Sequence, residues 1–576
     1  MNAFFRTDHR PNMNPRWRFA FLLFVSVLSA TACGGADAPA ESDGEAIVAD
    51  EGPAPWFEEA AAARGIDFVH RSGHETRYLY PEIVCGGGAL FDMDGDGDLD
   101  AYFVQSDGVL KSPREREGNR LYRNDGAGHF EDVTAGSGAD DRGYGIGVTT
   151  GDFDSDGDTD LYVTNLGRNA LLRNDGTGHF EDVTESAGAG CDLWSTSAAF
   201  FDYDRDGDLD LWVVNYLFWT VESERTCYAQ PHGETYCGPL AYDKPAPDTL
   251  FRNNGDGTFT DVSGEMGVRE SLGNGLGIGT ADFNGDGWLD VFVANDGTKD
   301  HLWINQGGEH FVEKAVAFGC AADQDGKIKA GMGVGIEDLD EDGDEDLLVV
   351  NLNSEYDSFF LNQGTHFVDR TASVGLTRAS QAFTRFGVGF RDFDLDGRMD
   401  LYEANGRVSH GAEVAGDDPF AEQNLLFRGD ANGRFEVVEP MGGVRPPLIG
   451  TSRGAAFGDV DGDGGPDVLV FNKDGAPYLL LDRAMAGNWI QFRPTDSGSD
   501  ALGALLTIRV GDRTLTRRMR SSTSYCVASD PRVHLGLGEA DAVDSVEVRW
   551  VDGTTETFGP LDAGSTHILA RGSGHE

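Results

Sequence analysis

Oxygen-bearing side chains crowd into nine residues at seven places in this chain, in the pattern D-x-D-x-D-G-x-x-D. The copies supply Asp92, Asp94, Asp96 and Asp100; Asp152, Asp154, Asp156 and Asp160; Asp202, Asp204, Asp206 and Asp210; Asp282, Asn284, Asp286 and Asp290; Asp338, Asp340, Asp342 and Asp346; Asp392, Asp394, Asp396 and Asp400; Asp459, Asp461, Asp463 and Asp467. Without a cation such crowding costs repeated like-charge repulsion, so the pattern demands one. Hard oxygen donors in this number suit calcium better than magnesium, which wants a smaller octahedron and more water, or zinc, which wants nitrogen or sulfur. The expectation is about seven bound calcium ions, one per loop.

Differences among the copies test that scheme. Position 7 is Asp98, Asp158, Asp208, Trp288, Asp344, Arg398 or Gly465, a scatter that only a backbone-carbonyl ligand tolerates. Position 2 is Met93, Phe153, Tyr203, Phe283, Leu339, Phe393 or Val460, always apolar, so each loop is rooted in a core. The spacing resembles the calcium loop of an EF-hand, with a closing carboxylate at position 9.

The loops begin at residues 92, 152, 202, 282, 338, 392 and 459, intervals of 50 to 80 residues that hold one four-stranded sheet each. In the second repeat GIGVTTGDF enters the loop, LYVTN leaves it, LLRND is a third strand and HFEDVT a fourth. Only six fourth strands follow the seven loops. The missing one precedes the first loop as Trp56-Phe57-Glu58-Glu59-Ala60, so the N-terminal end of the domain is expected to complete the last blade and leave no open sheet edge.

These repeats resemble the FG-GAP/VCBS family, whose calcium-loop blades also form the head of integrin alpha chains. The resemblance implies a β-propeller over residues 56–485, calcium as ligand, and adhesion or recognition. From Asn488 the acidity stops and short alternating strands such as WIQFR, LLTIRV and VEVRW suggest a small β-sandwich. There Gly503–Ile508, Ser529–Gly538 and Val546–Trp550 resemble the ASPIC/UnbV domain, which follows FG-GAP repeats in the cartilage acidic protein family. Val551-Asp552-Gly553 departs from the Pro-Ser-Gly usual in that domain. The expected fold class is therefore all-β, a seven-bladed β-propeller with calcium loops plus a small C-terminal β-sandwich-like domain over 486–576.

Arg6, Arg10, Arg16 and Arg18 precede a 14-residue apolar run, Phe19–Ala32, too short to span a bilayer and read as a secretory signal over 1–32. Ala30-Thr31-Ala32-Cys33 resembles a bacterial lipoprotein box with Cys33 as the lipidated residue; ordinary secretory cleavage is the alternative. Residues 33–55 are small and acidic and read as a disordered tether. The protein is thus expected to be exported, lipid-anchored to a bacterial outer membrane or cell surface, or otherwise periplasmic or secreted. In an oxidising compartment Cys227 and Cys237 are the expected disulfide, while Cys85, Cys191, Cys320 and Cys526 allow three pairings. A net charge of -54 excludes nucleic acid as partner and any membrane contact beyond the lipid anchor.

If the calcium loops join the first and second strands at one rim, links from second to third strand lie at the other. The longest, Tyr216–Asp248, carries Trp219, Tyr228, Tyr236 and Tyr242 and is the candidate ligand site; an aromatic lid packed on the blades is the competing reading. No H-E-x-x-H, G-x-S-x-G, C-x-x-C or phosphate loop is present, so no catalytic residue is assigned and an enzyme is the less favoured reading. The expected function is calcium-dependent recognition of an extracellular protein or glycan at the rim opposite the metals. The alternative is a propeller hydrolase or lyase acting on an extracellular polymer. Arg428-Gly429-Asp430 spells an adhesion tripeptide but sits where other repeats have a plain turn.

Overall fold

The computed structural model describes residues 52–410 and 418–575. The signal segment, Cys33 and nearly all of the tether lie outside the described residues. Each loop repeat forms one four-stranded antiparallel sheet. In blade 2 the strands Gly145–Gly151, Asp160–Asn165, Ala170–Asn174 and Phe180–Asp182 pair in chain order. The first strands of blades 1 to 7 are Gly88–Phe91, Gly145–Gly151, Ser195–Phe201, Gly275–Ala281, Val334–Glu337, Arg385–Arg391 and Ser452–Gly458. Each lies against the next, and the seventh lies against the first, so they form a closed inner ring. Being covered on both faces, they read as runs of small and apolar residues rather than as alternating patterns.

The outer strand of blade 7 is Phe57–Glu59, whose residues pair with Asp482, Leu481 and Leu480 as the repeat count requires. The hydrophobic core is divided into layers between successive blades. One such layer packs Phe57, Phe393, Tyr402, Phe457 and Leu480 between blades 6 and 7.

The residues after Asn488 form two sheets. In one, Asn488–Asp496 pairs with Val533–Gly538 and Thr566–Ala570; in the other, Arg513–Arg518, Leu505–Val510, Ser545–Arg549 and Thr555–Phe558 are consecutive neighbours. Ile490, Phe492, Leu506, Ile508, Val546 and Trp550 fill the space between them. That core runs on into Phe153, Phe200 and Leu211 of blades 2 and 3, and residues 52–576 make one compact unit.

Between the two sheets the chain leaves this terminal domain and threads the propeller axis. Val527–Ala528 adds to blade 1 as a fifth, parallel strand, with Gly88 opposite Val527. Ser524 and Val334 of blade 5 exchange both backbone hydrogen bonds, Cys526 N–H donates to Ser197 Oγ of blade 3, Val388 N–H of blade 6 donates to Ser524 Oγ, and Asp530 N–H donates to the Phe457 carbonyl of blade 7. Ser524 and Cys526 take left-handed backbone conformations, φ 73° and 56°, that non-glycine residues adopt only where their surroundings dictate it. Glycines in and just before the first strands make room by lacking side chains: a Cβ on Gly87 would lie 2.1 Å from the Cys526 carbonyl oxygen, and one on Gly454 2.3 Å from Val527. Gly87→Ala should therefore destabilise the protein by about 1–3 kcal/mol, the usual cost of overpacking. Chemical denaturation measures this, and an unchanged midpoint would mean that the axial segment is not seated as described.

Candidate metal centres and the opposite rim

In every blade the loop joins the first strand to the second, and position 9 is the first residue of the second strand. Its carboxylate ties the blade together. One oxygen accepts the N–H of position 2 at 2.9–3.1 Å, in the pairs Met93–Asp100, Phe153–Asp160, Tyr203–Asp210, Phe283–Asp290, Leu339–Asp346, Phe393–Asp400 and Val460–Asp467. The other accepts an N–H from the third strand at 2.8–2.9 Å, from Asn124, Asn174, Asn253, Asn305, Asn362, Gly429 or Asp482. Position 1 accepts the N–H of the position 6 glycine, and position 5 that of position 7, in all seven copies. Gly at position 6 has φ between +90° and +97° throughout, which explains its invariance along the chain.

These bonds aim the remaining oxygens at one point. Donor atoms of Asp92, Asp94 and Asp96, of Asp202, Asp204 and Asp206, and of Asp338, Asp340 and Asp342 lie within 4.8 Å of one another. In two loops the third donor is position 9, giving Asp152, Asp154 and Asp160, and Asp392, Asp394 and Asp400. The donor set fits a hard cation by a second criterion. Oδ1 of Asp94, Asp154, Asp204 and Asp461, the position 3 oxygen, and Oδ1 of Asp282 are buried with no hydrogen-bond partner, a costly arrangement unless an ion completes it.

Burial and neighbouring carboxylates push these groups far above the ordinary aspartate range: Asp160 and Asp210 to about 9, Asp346 to about 8, and Asp100, Asp202, Asp338, Asp392 and Asp459 to about 7. Raised folded-state values contribute stability below the unfolded value and lose it as pH rises through the folded one.

Sequence reasoning placed these donors but missed what links one loop to the next. Asn253 Nδ2 donates to the Leu209 carbonyl of its own loop and to the Phe153 carbonyl of the preceding blade's loop, at 3.0 and 2.7 Å. Asn124, Asn174, Asn305 and Asn362 do the same, each reaching position 2 of the blade before. The asparagine repeated before each turn was the visible signal. In blade 6 its place is taken by Gly429, where a Cβ would meet the Met399 carbonyl oxygen at 2.2 Å. Neighbouring Arg428 pairs with Asp394 at 2.6 Å and Asp396 at 3.0 Å, while Asp430 accepts two turn N–H groups, so this tripeptide is a loop brace and a turn.

The terminal domain lies over the metal rim. Arg493 approaches Asp92, Arg549 approaches Asp282 at 3.4 Å, and Ser499 Oγ donates to Asp152 at 2.5 Å. Arg513 pairs with Glu341 at 2.6 Å, Arg517 donates to the Asp338 carbonyl, Arg532 to that of Gly97, and His534 Nε2 meets the Gly464 carbonyl. The fall in acidity at Asn488 was thus the sequence trace of a domain that turns its arginines toward an acidic face.

At the other rim the Cys227–Cys237 disulfide is formed, and Cys85, Cys191, Cys320 and Cys526 are buried and unbonded. Tyr236 and Tyr242 are buried, Trp219 is half-buried and Tyr228 is 65% exposed. Two glutamates that sequence reasoning did not single out organise them. Glu224 accepts from Tyr80 N–H, Trp219 Nε1 and Tyr242 OH at 2.5–3.0 Å, and Glu82 meets His74 Nδ1 at 2.7 Å and Tyr236 OH at 3.0 Å. Tyr78 stacks on His74, its hydroxyl 3.3 Å from His410 Nε2. Tyr525, at the tip of the axial segment, joins this cluster and donates to the Val84 carbonyl.

The FG-GAP-like repeat family matches residues 92–163, 152–213, 240–293, 282–331 and 338–403, and the ASPIC and UnbV family matches 494–576; together they take in well over half of the chain. The chain belongs to the FG-GAP-repeat proteins that carry an ASPIC and UnbV domain. This FG-GAP protein is 28% identical to human cartilage acidic protein 1 over 340 residues and 26% identical to the mouse protein, in each case over 55% of its own length. It spans about half the length of these curated relatives. Among solved structures it resembles a Burkholderia pseudomallei lectin at 12% identity and TM-score 0.42, covering 70% of this chain and 98% of that one. An Agrocybe aegerita lectin described as recognising non-reducing terminal N-acetylglucosamine aligns at 17% identity and TM-score 0.36, over 62% and 81%.

In chelator, the metal-free FG-GAP protein should melt higher at pH 5.5 than at pH 8.5, because the elevated carboxyls lose their proton across that window. Saturating divalent metal, which replaces the protons, should remove or reverse the difference. Thermal unfolding reads both, and a metal-free protein that gains stability with rising pH would contradict the description of these loops.

Proposed function

We propose that the protein is an exported, calcium-loaded recognition propeller that binds an extracellular protein or glycan at the rim opposite its loops. The observation that carries this reading is the occupation of the metal rim by the terminal domain. With that face covered and the axis filled, the broad rim left to a partner is the one bearing the disulfide-stapled Tyr216–Asp248 link. On it Tyr228 offers an exposed ring from the middle of the first strand of a short hairpin, Cys227–Ala229 with Gly233–Thr235, opposite Glu234. Calcium in this reading is structural. It neutralises the clustered aspartates, and its sites lie on the face away from the ligand. The export signal and Cys33 anchor remain part of the proposal on sequence grounds alone.

A second reading, cleavage of an extracellular polymer, draws support from His74, Glu82, Tyr236 and His410, a cluster of groups able to exchange protons at the same rim. Binding without turnover favours the first reading; product release abolished by His74→Ala favours the second.

Two outcomes are expected. Elemental analysis should return about seven calcium ions per chain, and their removal should lower the melting temperature by tens of degrees. Sites filled to about ten times their dissociation constant contribute roughly 1.4 kcal/mol each, and a shift of a degree or two in EDTA would overturn the structural role. On a panel of glycans and matrix proteins, Tyr228→Ala should weaken the best binder by roughly 1–3 kcal/mol, a large aromatic contact's worth, with no change in melting temperature. Unaltered affinity would remove this rim from consideration.

A further inference from the structure

Between the metal rim and the terminal domain lies a second feature of the opposite charge. A cavity of about 50 Å³ is lined by the side chains of Arg391, Arg517, Arg518, Arg520, Arg532 and His534, with Glu337 and Asp530 the acidic residues on its wall. In a chain of net charge -54 this concentration of guanidinium groups is exceptional.

Arg518 is taken up, its Nε and Nη2 by Glu345 and its Nη1 by the Gly503 carbonyl, but the other four keep donors to spare. Glu345 lies behind the wall and takes both Arg518, at 2.7 Å, and Arg520. Asp530 takes Arg532 at 2.8 Å. Arg517 stands 3.6 Å from Glu337, beyond hydrogen-bond reach, and is only 7% exposed. Arg391 forms no ion pair among the described residues; it donates to the Phe390 carbonyl and lies over the Phe457 ring. Five arginines thus face three carboxylates. Nε of Arg517 and Nε of Arg520, both N–H donors, are buried there without any hydrogen-bond partner. Buried donors and surplus positive charge are both costly unless an acceptor carrying negative charge joins them.

We infer that this cavity is a binding site for a small tetrahedral oxyanion of the sulfate or phosphate class, held by guanidinium forks from the propeller and the terminal domain together. Guanidinium presents paired N–H donors that match two oxygens of such an ion, which a chloride ion cannot use. The enclosed position under the terminal domain selects a free inorganic ion over an ester on a polymer. Arg391 comes from blade 6 and the other four arginines from the segment 517–532 that leads into and out of the axis. The ion therefore fixes the terminal domain and its axial segment to the ring.

Sodium sulfate is the probe, with the calcium-saturated full chain, compared with sodium chloride at equal ionic strength. Calorimetry should give one sulfate per chain, and sulfate should raise the melting temperature where chloride does not. Arg391→Gln should weaken sulfate binding by at least about tenfold and abolish the sulfate-specific rise. Its stability in chloride should equal or exceed that of the wild type, because an unpaired positive charge has been removed. Arg391→Lys, which keeps charge but loses the fork, should fall between the two. Arg142→Gln, on the exposed surface, should behave as wild type. No sulfate binding by the wild type, or an equal rise in wild type and Arg391→Gln, overturns the site.

Discussion

Electrostatic repulsion on one rim governs this molecule. Seven loops present clustered carboxylates to the same face, and each loop already spends part of its acceptor capacity on its own backbone N–H groups. What remains is negative charge gathered where carboxylates face one another, with buried oxygens in five of the loops that no protein donor reaches. Neutralisation comes from two directions in this architecture. One is a hard cation, which the donor sets of the loops fit; the other is the group of arginines that the terminal domain sets against the rim. The two are linked, because Arg493, Arg549 and Ser499 touch aspartates that also belong to the loops.

The loops are also coupled around the ring. Each latch asparagine holds the position 2 carbonyl of the preceding loop while its backbone N–H is held by the position 9 aspartate of its own. A change in one loop is therefore felt by its neighbour through a single side chain. The latch is absent at blades 6 and 7, where Gly429 and Asp482 stand in its place. Arginines fill part of that gap: Arg428 braces Asp394 and Asp396, and Arg483 reaches Asp463.

Much of the ring was legible from sequence because its signals are local. A nine-residue motif, an apolar residue at position 2 and a counted shortage of fourth strands led to seven blades and to Phe57–Glu59 as the closing strand. The disulfide was legible from the nearness of Cys227 to Cys237. The aromatic link divided: Tyr236 and Tyr242 lie in the packed lid, whereas Tyr228 stands clear of it. What could not be read was long-range. Nothing in Ser521–Asp530 announces that it will run along the axis, because its partners are backbone groups of five blades and the Ser197 hydroxyl of a sixth, and the cue, glycine at the inner strands, lies far off in the chain. Glu82 and Glu224 carried no motif either; their importance comes from the tyrosine and tryptophan donors that folding brings to them.

The axial segment imposes an order of events. Ribosomal synthesis delivers the loops first, then the residues that let Phe57–Glu59 complete the last sheet, and only afterwards the stretch that fills the bore. A nascent ring is consequently hollow, with the glycine-rich backbone of its inner strands facing water until the final tenth of the polypeptide arrives. Once seated, that segment joins six of the seven blades through one short stretch of chain, so the ring and its filling are parts of one structure.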